Sequence, residues 1–191
     1  MSQLGHNNGP TMEAGFGWRK HSWAKARADL LPSLPIEVLR TRVKRAKALG
    51  LPYNTYASIR AASGHDVVGF LFSNNALRAI RNVDEVPEDR LAHLSNCSAS
   101  FAALVHRPLD PAALACSLQT RGIDVTADRA PHFSDRWSDI ARAVTSPLRH
   151  AGLPRDGVLV VGSTTFEQEW SQAGRLAGFI SAEQFFAASN A

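Results

Sequence analysis

Four apolar residues in a row, Val158-Leu159-Val160-Val161, run straight into Gly162-Ser163-Thr164 and then into Thr165–Leu176, a stretch with helical character. A strand with no polar interruption buries both of its faces. That pattern belongs to parallel sheets, whose crossover connections place helices over each face. Two further segments read the same way, Val67–Ser73 and Phe101–His106, and Ile123–Thr126 reads as a third strand at an edge. Helices are expected between them. Ala76–Ile80 is a turn or short helix, and Pro87–Leu94 is a short helix. In Pro111–Arg121, Asp110 can cap, Pro111 suits the first position and Gly122 closes the helix. Ser134–Leu148 places Trp137, Ile140, Ala141 and Val144 on one face. Alternation of strands and helices predicts an α/β domain over residues 64–191, a small mostly parallel or mixed sheet covered by helices.

The first third has a different texture. Residues 1–60 hold ten Lys/Arg against three acids, whereas the remainder carries 11 Arg, no Lys and 14 acids. A cationic segment joined to a near-neutral body suggests contact with a polyanion. Residues 1–16, rich in glycine and asparagine, form an expected flexible leader, and 17–63 a basic helical segment. A helix is expected over Gly17–Leu31, where Trp18 and Trp23 stand beside Arg19, Lys20, Lys25 and Arg27 as candidate base-stacking groups. Pro32 and Pro35 interrupt the chain. Over 36–49, Ile36, Leu39, Val43, Ala46 and Leu49 recur at helical spacing, with Arg40, Lys44 and Lys47 along a second face and Gly50 as the stop. A second helix is expected from Asn54, as its N-cap, through Ala62.

The stretch Arg45–Arg60 therefore has the layout of a helix-turn-helix unit. Ala46 and Gly50 have the spacing of that motif's first helix and tight turn, and Leu51, Tyr56 and Ile59 are placed to pack the second helix back on the first. Through Ala46-Lys47-Ala48-Leu49-Gly50-Leu51-Pro52-Tyr53 it is also similar to the helix–loop–helix part of ribbon-helix-helix DNA-binding proteins. In the helix-turn-helix reading Asn54, Thr55, Ser58 and Arg60 face base edges, while Arg40, Arg42, Lys44, Arg45 and Lys47 lie along the phosphates. The leading expectation is thus a nucleic-acid-binding regulatory or accessory protein.

A second expectation is a small α/β enzyme or ligand-binding domain. Gly162-Ser163-Thr164-Thr165 presents backbone N–H groups at a strand's carboxyl end and a helix's N-terminus, a candidate anion site whose pocket would include residues after Ser73 and His106. Thr164 and Glu167 also form a capping-box pattern that accounts for the same residues as structure. No phosphate-loop or dinucleotide fingerprint occurs. A third expectation is a protein–protein adaptor or toxin-like inhibitor that meets an acidic partner. Of His93, Cys97, His106, Cys116 and His132, His93 and Cys97 can share one helical face as candidate zinc ligands, but no Cys-x-x-Cys or His-Glu-x-x-His pair supports them, so no metal or cofactor is expected, and no catalytic residue is assigned. Two cysteines, no secretory signal and no membrane-length apolar run lead to the expectation of a cytoplasmic protein.

Overall fold

The fold follows from the burial of its central strands on both faces. A computed structural model describes residues 35–83 and 86–187. Along the chain it places α1 (Ile36–Ala48), α2 (Tyr53–Ser63), β1 (Gly69–Ser73), α3 (Glu88–Ser95), β2 (Ser100–Val105), α4 (Pro111–Thr120) and β3 (Val125–Arg129). These are followed by α5 (Trp137–His150), β4 (Val158–Gly162), α6 (Thr165–Ala173), β5 (Gly178–Ser181) and α7 (Ala182–Ala187). The strands form one sheet in the order β3-β2-β1-β4-β5. Every pairing is parallel.

Side chains alternate across the pleat. Phe70 and Phe72 join one core with Ala103, Val105, Leu159 and Val161, covered by Leu91 and Leu94 of α3, Leu114 and Leu118 of α4, and Phe185 of α7. Ala46, Leu49, Leu51 and Tyr56 of the α1–α2 region belong to that same core. Leu71, Ala102, Leu104, Val158 and Val160 face the other way, onto Ile140, Val144 and Leu148 of α5 and Trp170 of α6. The result is three layers, helices over each face of a parallel sheet.

The order also sets where a ligand site belongs. From β1 the chain proceeds outward through β2 to β3, then crosses back to β4 and proceeds outward in the opposite direction to β5. The loops leaving β1 and β4 therefore diverge, and the carboxyl ends of these neighbours mark the topological switch point.

The chain divides between Leu39 and Arg40, and Arg40–Ala191 carries the sheet. In α1, Ala46 is buried while Ile36, Leu39 and Val43 of the expected apolar stripe are exposed. Helix α2 starts at Tyr53 with Pro52 in the N-cap position, so Asn54 lies inside the helix instead of capping it. Pro52 already supplies the fixed extended entry, and its carbonyl accepts from Tyr56 N. The expected helix 17–31, with Trp18 and Trp23, lies outside the described residues. Among the described residues no helix is long and apolar enough to cross a membrane.

Candidate functional site

Three strands end in polar residues at the carboxyl edge of the sheet: β1 in Ser73-Asn74-Asn75, β2 in His106, and β4 in Gly162-Ser163-Thr164. Their side chains and backbones converge on one carboxylate. Glu167, in the first turn of α6, is 0% exposed. Its Oε1 accepts from Asn75 Nδ2 at 2.8 Å and from His106 Nε2 at 3.2 Å. Its Oε2 accepts from Ser163 N at 2.6 Å and Thr164 N at 3.1 Å. Thr164 Oγ1 accepts in turn from Glu167 N, which completes a capping box.

Burial alone would raise the Glu167 pKa. Hydrogen bonds from His106, Ser163, Asn75 and Ser73 outweigh that, and the pKa lies below the ordinary glutamate value. An ionised carboxylate only accepts, so His106 Nε2 carries its hydrogen toward Glu167 and Nδ1 is the nitrogen left to meet a ligand. The His106 side chain is 27% exposed. Its ring lies 5.5 Å, centroid to centroid, from the buried Trp170. Asn74 fixes the other side: its Nδ2 donates to Ala79 O at 2.8 Å and its Oδ1 accepts from His106 N at 2.8 Å. The loop after β1 is thus tied both to its own turn and to the end of β2.

Gly162 permits this close approach. A Cβ there would lie 2.9 Å from Glu167 Cβ and 2.9 Å from Phe179 Cε2. Of the candidate anion site Gly162, Ser163, Thr164 and Thr165, the N–H groups of Ser163 and Thr164 donate to Glu167, so a carboxylate of the chain itself sits where an external anion was expected. Ser163 and Thr164 remain exposed beside it.

The second candidate region is the α1–α2 pair. Arg40, Lys44 and Lys47 are exposed, and Arg42 is half-buried. At spacings of four and three residues, Arg40, Lys44 and Lys47 share one face of α1. Asn54 and Ser58 are also exposed, with Ser58 Oγ donating to Asn54 O, and Thr55 is half-buried. Arg45 and Arg60 are used differently. Arg45 donates to Asp66 Oδ2 through Nε at 3.3 Å and to Val67 O through Nη2 at 2.8 Å. Arg60 Nη1 lies 3.3 Å from Asp66 Oδ1, the oxygen that also accepts from Tyr56 OH at 2.6 Å. These two cations therefore tie the helix pair to the start of the α/β body.

His93 and Cys97 do lie together, against Gly50, where a Cβ would come within 2.7 Å of both His93 Nε2 and Cys97 Sγ. Among the described residues no group of three metal-ligating side chains forms. Comparison with protein-family models, with curated proteins and with solved structures gave no match.

Proposed function

We propose that the chain is a small α/β enzyme or ligand-binding domain that holds a small polar molecule over the carboxyl ends of β1, β2 and β4, with His106 as its acid–base group and Glu167 as the group that positions it. One observation carries this reading: a wholly buried carboxylate at the switch point of a parallel sheet orients a partly exposed histidine. A carboxylate behind an imidazole fixes its orientation and tautomer and stabilises the imidazolium formed when Nδ1 accepts a proton. Asn75, Ser163 and Thr164 supply hydrogen-bonding groups around it, as the polar part of a small-molecule site does.

Thermal-shift screening against nucleotides, phosphorylated metabolites and small hydroxy and oxo acids tests the proposal. At least one compound is expected to stabilise the wild-type chain and to lose that effect in His106→Ala. The reading fails if no compound stabilises the wild type, or if His106→Ala responds equally.

A second reading, nucleic-acid binding through α1 and α2, is favoured by the exposed Arg40, Lys44 and Lys47 along one helix face. Salt-dependent binding to duplex or single-stranded DNA or RNA is then expected. Each of Arg40→Gln, Lys44→Gln and Lys47→Gln should lower the slope of log K against log salt by about 0.9 per lost phosphate contact. A salt-insensitive or absent interaction overturns it, and a partner retained from nuclease-treated extract would point instead to an acidic protein on the same face.

A further inference from the structure

At the same end of the sheet a second group of side chains lies apart from the Glu167 cluster. Arg90, in the first turn of α3, is only 5% exposed, and its Nη1 has no hydrogen-bond partner. Its guanidinium stacks on the Phe186 ring of α7, 4.4 Å from the centroid. Arg78, in the loop after β1, faces it as a second cation. Burial first, and then Arg78, push the Arg90 pKa below the ordinary arginine value. The acids on the rim, Asp89 and Glu183, offset this less, and they and Arg78 alike are exposed to water. Between these groups is a cavity of about 250 Å³.

A buried guanidinium with an unsatisfied N–H is costly, and a second positive charge beside it adds to the cost. An oxyanion removes both penalties, because a guanidinium matches two oxygens of a carboxylate or phosphate at once. Two local features agree. Arg78 holds a positive φ of 59°, a strained conformation for a residue with a side chain. The N-terminus of α3 has Pro87 as its N-cap and receives no side-chain cap.

We infer that Arg78 and Arg90 form an oxyanion site that takes the phosphate or carboxylate group of a small molecule. The site is built from the loop that also serves the Glu167 cluster. Arg78 N donates to Asn75 O at 2.9 Å, closing a turn, and Asn75 holds Glu167. Residues at the two ends of such a turn have Cα atoms within about 7 Å. The inference rests on the arginines alone and does not require the proposed role of His106.

Thermal melts and calorimetric titrations with inorganic phosphate, and separately with acetate, at constant ionic strength in chloride, test it. Phosphate, acetate or both are expected to stabilise the wild type beyond chloride, and the stronger of the two identifies the group. Arg90→Met should lose the response. Arg78→Gly, which keeps the positive φ and leaves the core untouched, should weaken the affinity about tenfold. His106→Ala should retain it, so the arginine site and the histidine reading can fail independently. Equal behaviour of phosphate, acetate and chloride with the wild type, or an unchanged affinity in Arg78→Gly, overturns the inference.

Discussion

Replacing Glu167 by Gln isolates the charge of the buried carboxylate with almost no change of shape. Native Oε1 accepts from Asn75 and His106 and Oε2 from Ser163 and Thr164, with Ser73 a further donor to the carboxylate. The amide has one oxygen to serve two of those donors, and its NH₂ must face the other pair. If the oxygen stays with Ser163 and Thr164, then Asn75 Nδ2 meets a donor and is left unsatisfied in a half-buried place. That costs about 1–3 kcal/mol. The remaining bonds lose their charge assistance, which roughly halves them. The expected loss is about 2–4 kcal/mol, or about 5–15 °C in Tm for a chain of this size. Calorimetry or circular-dichroism melts at pH 7 measure it.

The pH dependence of the same pair of proteins supplies a sign test. Glu167 is held below its ordinary value of 4.5, so above about that pH the unfolded and folded chains are both ionised there and the full stabilisation is present. As the pH falls below 4.5 the unfolded carboxyl takes up a proton first, and the stabilisation is lost as the pH passes through the lower folded value. The gap in Tm between the wild type and Glu167→Gln should therefore narrow as the pH falls below 4.5. A Tm drop under about 2 °C at pH 7, or a gap that does not change down to pH 3, would refute the reasoning that an ionised Glu167 organises the site.

Gly162→Ala should destabilise by about 1–3 kcal/mol, because the added Cβ would stand 2.9 Å from both Glu167 and Phe179; combined with Glu167→Gln its effect in melts should be non-additive. Burial raises the Cys97 thiol to about 11, whereas Cys116 is exposed. Ellman's reagent at pH 8 should titrate one thiol per folded chain quickly and the second only after unfolding, and equal rates would contradict the packing around Cys97. Burial and then Asp66 raise the Tyr56 pKa above 10, so absorbance at 295 nm should show Tyr56 ionising late, with Asp66→Asn moving it down. An unchanged titration in that variant would remove Asp66 from the account.

The sheet was legible because doubly buried strands announce themselves without help from their neighbours. Val158–Val161 has no polar residue to place, and the flanking Gly162 and Thr164–Glu167 give the turn and the helix start. Edge strands are weaker signals. At β3 only Val125 is buried, while Thr126, Ala127 and Asp128 are half-buried and Arg129 is exposed, so the strand lies downstream of the expected Ile123–Thr126. In β5, Gly178-Phe179-Ile180-Ser181, only Ile180 is buried, and neither that strand nor α7 was expected from the sequence. Both are specified by partners elsewhere in the chain: Val160 and Val161 for β5, Phe70 and Phe72 for Phe185.

The site was half legible for a related reason. Ser163 and Thr164 were marked by the helix start, and Ser73 and His106 by the strand ends, but nothing local distinguishes Glu167 as a shared acceptor from Glu167 as a simple cap. The capping box occupies only Oε2 and the first-turn backbone. Oε1 is recruited by Asn75 and His106, 92 and 61 residues away in sequence, and their approach depends on the order in which the strands lie. The available sign was the repetition of one pattern: apolar strands whose first residues past the end are polar, Asn74-Asn75 after β1, His106 after β2 and Ser163-Thr164 after β4. In a parallel sheet all of those ends lie on one edge, so the pattern is already a statement about shared location once the strands are known to be parallel. The cationic helix shows the opposite limit. Arg45 and Arg60 look like Lys44 and Lys47 in sequence, and only the position of Asp66 beside Val67 at the entry to the body separates a cation that anchors the helix pair from one that faces outward.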